Sequence, residues 1–153
     1  MFSDLWLKRY ILMAKGYSSW SKDPSTKVGA VIVRPDKSIC SLGFNGFPPG
    51  DPDLPEDYNN REVKLSKIIH AEENALRFAR EKCTGYALFV WPLPCCLKCS
   101  KKVVNAGIAY MYFGTDNTRE VRSKWINEYE RTSKKLLESA GVVCTHVELD
   151  EDL

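Results

Sequence analysis

Apolar side chains at Leu5, Trp6, Ile11, Leu12, Met13 and Tyr17 recur with a period near 3.6 residues and predict an amphipathic helix over residues 4–20. Ser21-Lys22-Asp23-Pro24-Ser25 breaks that period. The run Val28-Gly29-Ala30-Val31-Ile32-Val33 then reads as a buried strand. Arg34-Pro35-Asp36-Lys37 reads as a tight turn, and Ser38 to Phe44 as the returning strand of a hairpin. Residues 45–60 have another character. Four prolines and two glycines between Asn45 and Pro55 argue against a helix or a central strand. A loop this long in a compact domain is usually a lid or a binding loop, with a surface insertion as the alternative.

Helical periodicity returns over residues 61–82 through Val63, Leu65, Ile68 and Ile69, and a fresh helix begins near His70 and runs to Arg80. Tyr86–Trp91 is the next buried strand. Leu97 to Ala106 fits a helix closed by Gly107, followed by a strand from Ile108 to Phe113. Arg119 to Ser139 reads as one long helix closed by Gly141, and Val142 to Val147 as the last strand. The predicted order is α, β-hairpin, α, β, α, β, α, β. Helices alternating with strands in the second half require parallel pairing and right-handed crossovers, while the opening hairpin makes the sheet mixed.

Length and composition narrow the function. A chain of 153 residues is expected to form a single domain. With 44% hydrophobic and 27% charged residues it fits a globular core without disulfide staples. A net charge of +2 announces neither a nucleic-acid nor a membrane-surface partner. No apolar run approaches the roughly 20 residues of a membrane span. The start, Met1 to Lys8, lacks the features of a secretion signal, so a cytoplasmic location is expected. The cysteines are more informative. Cys40, Cys83 and Cys144 are isolated and read as small buried hydrophobes, but Cys95, Cys96 and Cys99 crowd into five positions. Without a secretion signal, such crowding points to metal or redox chemistry.

Two segments carry candidate chemistry, His70-Ala71-Glu72 and Pro94-Cys95-Cys96-Leu97-Lys98-Cys99, each at a junction into a helix. Together they supply one imidazole and two thiolates, a three-ligand zinc set that keeps a fourth position for water. Cys96 and Cys99 in a first helical turn are favoured as thiolates by unpaired backbone N–H groups and the positive dipole end. Glu72, two residues from His70, can face the metal-bound water and manage its protons. Two other readings stand beside this one. A structural zinc site would recruit a fourth ligand such as Cys95 or His146. A redox Cys-x-x-Cys would leave His70-x-Glu72 without a role.

His-x-Glu followed by Pro-Cys-x-x-Cys resembles the pattern of zinc-dependent nucleobase deaminases, with His70, Glu72, Cys96 and Cys99 as the matching positions. The proline expected next to the first cysteine ligand is Cys95 here, with Pro94 one place earlier; spacing to Cys99 selects Cys96 as the ligand. Over nearly the whole chain the sequence is similar to deoxycytidylate (dCMP) deaminases. The likeness runs through Ser21–Ala30, the stretch Gly43-Phe44-Asn45-Gly46-Phe47-Pro48-Pro49-Gly50, His70-Ala71-Glu72-x-Asn74-Ala75 and Asn105-Ala106-Gly107-Ile108. Trp20 stands where many relatives have arginine.

The resemblance implies a cytidine-deaminase-like α/β/α sandwich, with a five-stranded mixed sheet and helices on both faces. It implies one catalytic Zn²⁺ on His70, Cys96 and Cys99, and Glu72 as the proton carrier. Hydrolysis of dCMP to dUMP and ammonia, feeding thymidylate synthesis, is the implied activity. A modified dCMP, dCTP or free (deoxy)cytidine is the alternative substrate, and a nucleic-acid deaminase or a non-enzymatic zinc module lies further off. Asn45 would hydrogen-bond the nucleoside, and the backbone around Ala71 and Pro94 would read the base edge. Cys95 and Lys22 join them as candidate substrate contacts, and the 45–60 loop would cover the nucleotide. Asn45, Gly46, Pro48 and Gly50 would serve regulatory dCTP and dTTP with Mg²⁺, and the chain would assemble as a homo-oligomer, a hexamer by family habit. From the residues themselves, Arg61, Lys64 and Lys67 ahead of the zinc helix favour a 5′-phosphate on the substrate.

Overall fold

The computed structural model describes residues 2–117 and 122–149. In chain order these form α1 (Asp4–Ser18), β1 (Gly29–Val33), β2 (Ile39–Phe44), α2 (Pro55–Asn59), α3 (Arg61–Lys67), α4 (Ala71–Phe78), β3 (Ala87–Trp91), α5 (Leu97–Asn105), β4 (Tyr110–Phe113), α6 (Arg122–Arg131), α7 (Ser133–Ser139) and β5 (Val143–His146). The strands make one five-stranded sheet in the order β2-β1-β3-β4-β5. β1 pairs antiparallel with both β2 and β3, whereas β3, β4 and β5 run parallel. The sheet is therefore mixed, with the parallel half in the second part of the chain, as the alternation of elements requires.

Continuous apolar runs become strands because both faces of the sheet are covered. Along β1, Ala30 and Ile32 face one core while Val31 and Val33 face the other. Leu88 and Val90 of β3 join the first core, and Ala87, Phe89 and Trp91 the second. The first core is closed by Ala71 and Ala75 of α4, Cys99 and Val103 of α5, Tyr129 of α6 and Leu137 of α7. The second is closed by Tyr10, Ile11 and Ala14 of α1. Cys83 is buried in the first core and Cys40 and Cys144 pack half-buried against it, so these three behave as small apolar residues.

One glycine decides how the site is positioned. A Cβ built on Gly43 of β2 would lie 2.5 Å from the Ala75 nitrogen and closer still to the Ala71 carbonyl. Only glycine lets β2 lie against the first turn of α4, which carries Ala71 and Glu72.

Two expectations from the sequence are corrected and a third is met. The 45–60 segment is not free of helix: α2 occupies Pro55–Asn59, with proline at its first position, where its missing N–H costs nothing. As the fresh start expected near His70 requires, the 61–82 stretch divides into α3 and α4, with Ile68 and His70 extended between the two helices. The long helix expected over 119–139 is interrupted at Thr132 (φ −122°, ψ −72°), and its first residues, 119–121, lie outside the described residues. The Thr132 hydroxyl donates to the Glu128 carbonyl at 2.8 Å, a back-bond that bends helices, and the turn buries Ser133. No helix among the described residues is long and apolar enough to cross a membrane.

Candidate active site

Two helix starts meet at the site. His70 occupies the N-cap position of α4 in extended conformation (φ −72°, ψ 155°), and Cys96 occupies that of α5 (φ −72°, ψ 169°). Cys96 Sγ accepts the backbone N–H of Cys99 at 3.4 Å, a capping bond made by sulfur. A Cys-x-x-Cys spacing at a helix start places both sulfurs on one side of the first turn. His70 Nδ1 lies 3.2 Å from Cys99 Sγ and 3.4 Å from Cys96 Sγ, and the three ligand atoms all fall within 4.8 Å of one another.

This donor set fits zinc. Tetrahedral bonds of about 2.0–2.1 Å to nitrogen and 2.3 Å to sulfur hold such atoms roughly 3.5 Å apart, close to the spacing found. The protonation pattern agrees with a metal cluster. A hydrogen bond from the Cys99 thiol, with one from His70, pulls the Cys96 thiol down. Donating to Cys96, together with burial, pushes Cys99 up. The bond to Cys96 also raises His70, against its burial. Cys96 Sγ thus meets two polar neighbours, the Cys99 thiol and the His70 ring nitrogen, in the place a divalent cation would bind.

Neither candidate fourth ligand joins the cluster. The Cys95 thiol is buried, which raises it, and donates to the Glu72 carboxylate. His146 stacks on Phe113 at 4.7 Å, with its Nε2 3.0 Å from Thr115 Oγ1. Glu72 itself is 4% exposed, and burial is the main cause of its raised pKa. A carboxyl group at that depth beside a three-ligand cluster has a hydrogen-bonding neighbour and open space ahead of it, but no metal-ligand role.

That space is a cavity of about 470 Å³, within the range of small-molecule sites. Its floor holds His70, Ala71, Glu72, Pro94, Cys95 and Cys96. One wall is Asp23, Ser25, Thr26 and Asn45; another is Arg61, Lys64 and Leu65 of α3 with Ile68 just past its end; a third is Trp125, Glu128, Tyr129 and Thr132. Asn45 holds the first wall together: its Oδ1 accepts Val28 N–H at 2.8 Å, and its Nδ2 donates to the Thr26 carbonyl at 2.9 Å. Asp23 Oδ1 accepts the N–H groups of Ser25 and Thr26 and the Lys64 ammonium, at 2.8, 3.3 and 3.1 Å.

The structure thus brings together His70, Ala71, Glu72, Asn45, Pro94, Cys95, Cys96 and Cys99 from the sequence-derived set. It does not bring Lys22, Gly46, Pro48 or Gly50 to that cavity. Those four line a second cavity of about 240 Å³, among Tyr17, Trp20 and Phe44. Lys22 is exposed there and paired with Asp53 at 3.1 Å. The 45–60 segment likewise does not cover the zinc-site cavity. Phe47 stacks on Tyr58 at 3.9 Å, and Lys67 binds Asp51 and Asp57 at 2.9 and 2.8 Å, which fold the segment back on itself. The wall from α6 was not foreseen. Trp125, Glu128, Tyr129 and Thr132 recur at helical spacing, and in sequence that stripe is indistinguishable from a core face.

Enzymes that hold zinc with three protein ligands keep one position open, and the zinc nucleobase deaminases use one imidazole, two thiolates and a glutamate that is not a ligand, the set found at this site. The chain belongs to the cytidine and deoxycytidylate deaminase family: residues 4–115 match the model of the family's zinc-binding region. Over 145 residues it is 41% identical to an uncharacterised deaminase of the luxG 3′ region of Aliivibrio fischeri, covering 95% of each chain. It is 33% identical over 144 residues to the deoxycytidylate deaminase of Mus musculus, covering 90% of this chain and 76% of that one. In three dimensions it is similar to the dCMP deaminase of cyanophage S-TIM5 in complex with dCMP and dUMP. That likeness has a TM-score of 0.72 and 25% sequence identity, and covers 95% of this chain and 99% of the other.

Proposed function

We propose that this chain hydrolyses the 4-amino group of dCMP: dCMP and water give dUMP and ammonia. The observation that carries this reading is the buried Glu72 carboxyl opening, with His70 and Cys96, into one cavity of nucleotide size. A structural zinc site needs a fourth ligand and has no use for such an acid.

Zinc on His70 Nδ1, Cys96 Sγ and Cys99 Sγ would act as a Lewis acid that makes water a nucleophile near neutral pH. Glu72 would take one proton from water and pass it to ring N3, then take the second from the hydroxyl added at C4 and pass it to the nitrogen, which leaves as ammonia as the C4 carbonyl forms. The Cys95 thiol fixes the carboxylate's orientation by donating to it. The backbone of Ala71 and Pro94 on the cavity floor reads the base edge, and Asn45 presents the ribose side of the wall. Burial of the floor keeps bulk water from competing for these groups.

Gly46, Pro48 and Gly50 at the second cavity, with Asn45 of the first, are the residues this reading assigns to regulatory dCTP or dTTP with Mg²⁺. The chain acts as a homo-oligomer in the cytoplasm, where thiolate ligands stay reduced.

The substrate-size part is tested by comparing dCMP with deoxycytidine. A charge-assisted hydrogen bond contributes roughly 1.5–3 kcal/mol, so two of them predict that dCMP is favoured by about 10²-fold or more in kcat/KM. Equal values for the two, or a preference for the nucleoside, would reject the monophosphate; a preference for dCTP would shift the reading to the triphosphate.

A further inference from the structure

The cavity-facing residues of α3 fall at 61, 64 and 65, spacings of i, i+3 and i+4, which is one face of a helix, and Ile68, extended just past its end, lines the cavity as well. Ile68 lies nearest His70 in the chain and Arg61 opens the helix, about 6 Å along the axis from Leu65 at 1.5 Å per residue. Arg61 thus stands at the end of this wall farther along the chain from the ligand His70, where a cation can meet the phosphate end of a nucleoside monophosphate.

The two cations differ in what they already hold. Lys64 is 14% exposed and bound at 3.1 Å to Asp23, which is 6% exposed, so its charge is cancelled where it stands. Asp23 in turn holds the Ser25 and Thr26 N–H groups, so Lys64 fixes the facing wall to α3. Elsewhere, Lys22 is spent on Asp53, and Lys67 on Asp51 and Asp57, both away from this cavity. Glu128 on the far wall is paired with Arg131. Arg61 lines the cavity, is exposed, and has no hydrogen-bond or ion-pair partner among the described residues.

We infer that Arg61 is the residue that selects a 5′-phosphorylated substrate, and that Lys64 is a positioning residue that braces the Asp23–Thr26 wall. The inference rests on the nucleotide reading of this cavity. A guanidinium presents two parallel N–H donors to a phosphate, which a lysine cannot do.

Isothermal titration of the zinc-loaded full chain with dUMP and with deoxyuridine separates the roles, alongside kcat/KM for dCMP and deoxycytidine. Arg61→Gln should weaken dUMP about 10- to 100-fold with a much smaller change for deoxyuridine, and Arg61→Lys should recover part of the loss. Lys64→Gln should weaken both ligands alike. Equal weakening of both ligands by Arg61→Gln, or of neither, overturns the assignment, as does wild-type chain that binds dUMP no better than deoxyuridine. Arg61-dependent dUMP binding without turnover in any chain would reject the hydrolytic reading while keeping this one. Normal turnover with the same loss on dCMP and deoxycytidine would do the reverse.

Discussion

Glu72→Gln is expected to keep its zinc and to turn over dCMP about 10²–10⁴-fold more slowly than the parent, or more slowly still, since one carboxylate serves several proton transfers. The substitution keeps the side chain's shape in a site that is 4% exposed, and it leaves an oxygen to accept the Cys95 thiol. It removes only the group that can take and return a proton. No ligand atom of the His70, Cys96 and Cys99 cluster is touched. Zinc content, dUMP affinity and kcat measured on one preparation separate chemistry from binding. Near-normal kcat would remove Glu72 from the proton path; loss of zinc would make it a ligand.

The second large effect concerns the three crowded cysteines. Cys96→Ser and Cys99→Ser should each lose the metal and with it all measurable turnover, because a neutral hydroxyl is a poor replacement for a thiolate on zinc. The fold should survive in the first of these. Cys96 caps α5 through its side chain, and serine is among the best residues for that position. Cys95→Ser should hold one zinc per chain, since Cys95 is aimed at Glu72 and its replacement can still donate there. Metal analysis of the three purified variants decides the register. A Cys95→Ser chain without zinc beside a Cys96→Ser chain with zinc would move the ligand by one place.

Why these four residues could be read from sequence, and others could not, follows from range. His70-x-Glu72 and Cys96-x-x-Cys99 are local patterns of scarce residue types, and each sits where a helix start fixes its geometry. The strands were equally legible, because β1 and β3 are buried on both faces and so leave unbroken apolar runs. What depended on distant partners was not legible. The 45–60 segment has the composition of a lid, yet Lys67 and the Phe47–Tyr58 stack draw it to a different cavity. Lys22 follows that segment through Asp53. The interruption at Thr132 comes from a single back-bonded hydroxyl inside an otherwise regular helical pattern. Periodicity shows that Trp125 and Tyr129 share a face, but not that Tyr129 enters the core while Trp125 stays exposed on the cavity wall.

The most direct measurement is product analysis of the zinc-loaded chain incubated with dCMP. Equimolar dUMP and ammonia should appear, at a rate that falls to background when the metal is removed by a chelator and recovers when zinc is restored. Intact dCMP after prolonged incubation with chain shown to hold one zinc would contradict dCMP hydrolysis as its activity.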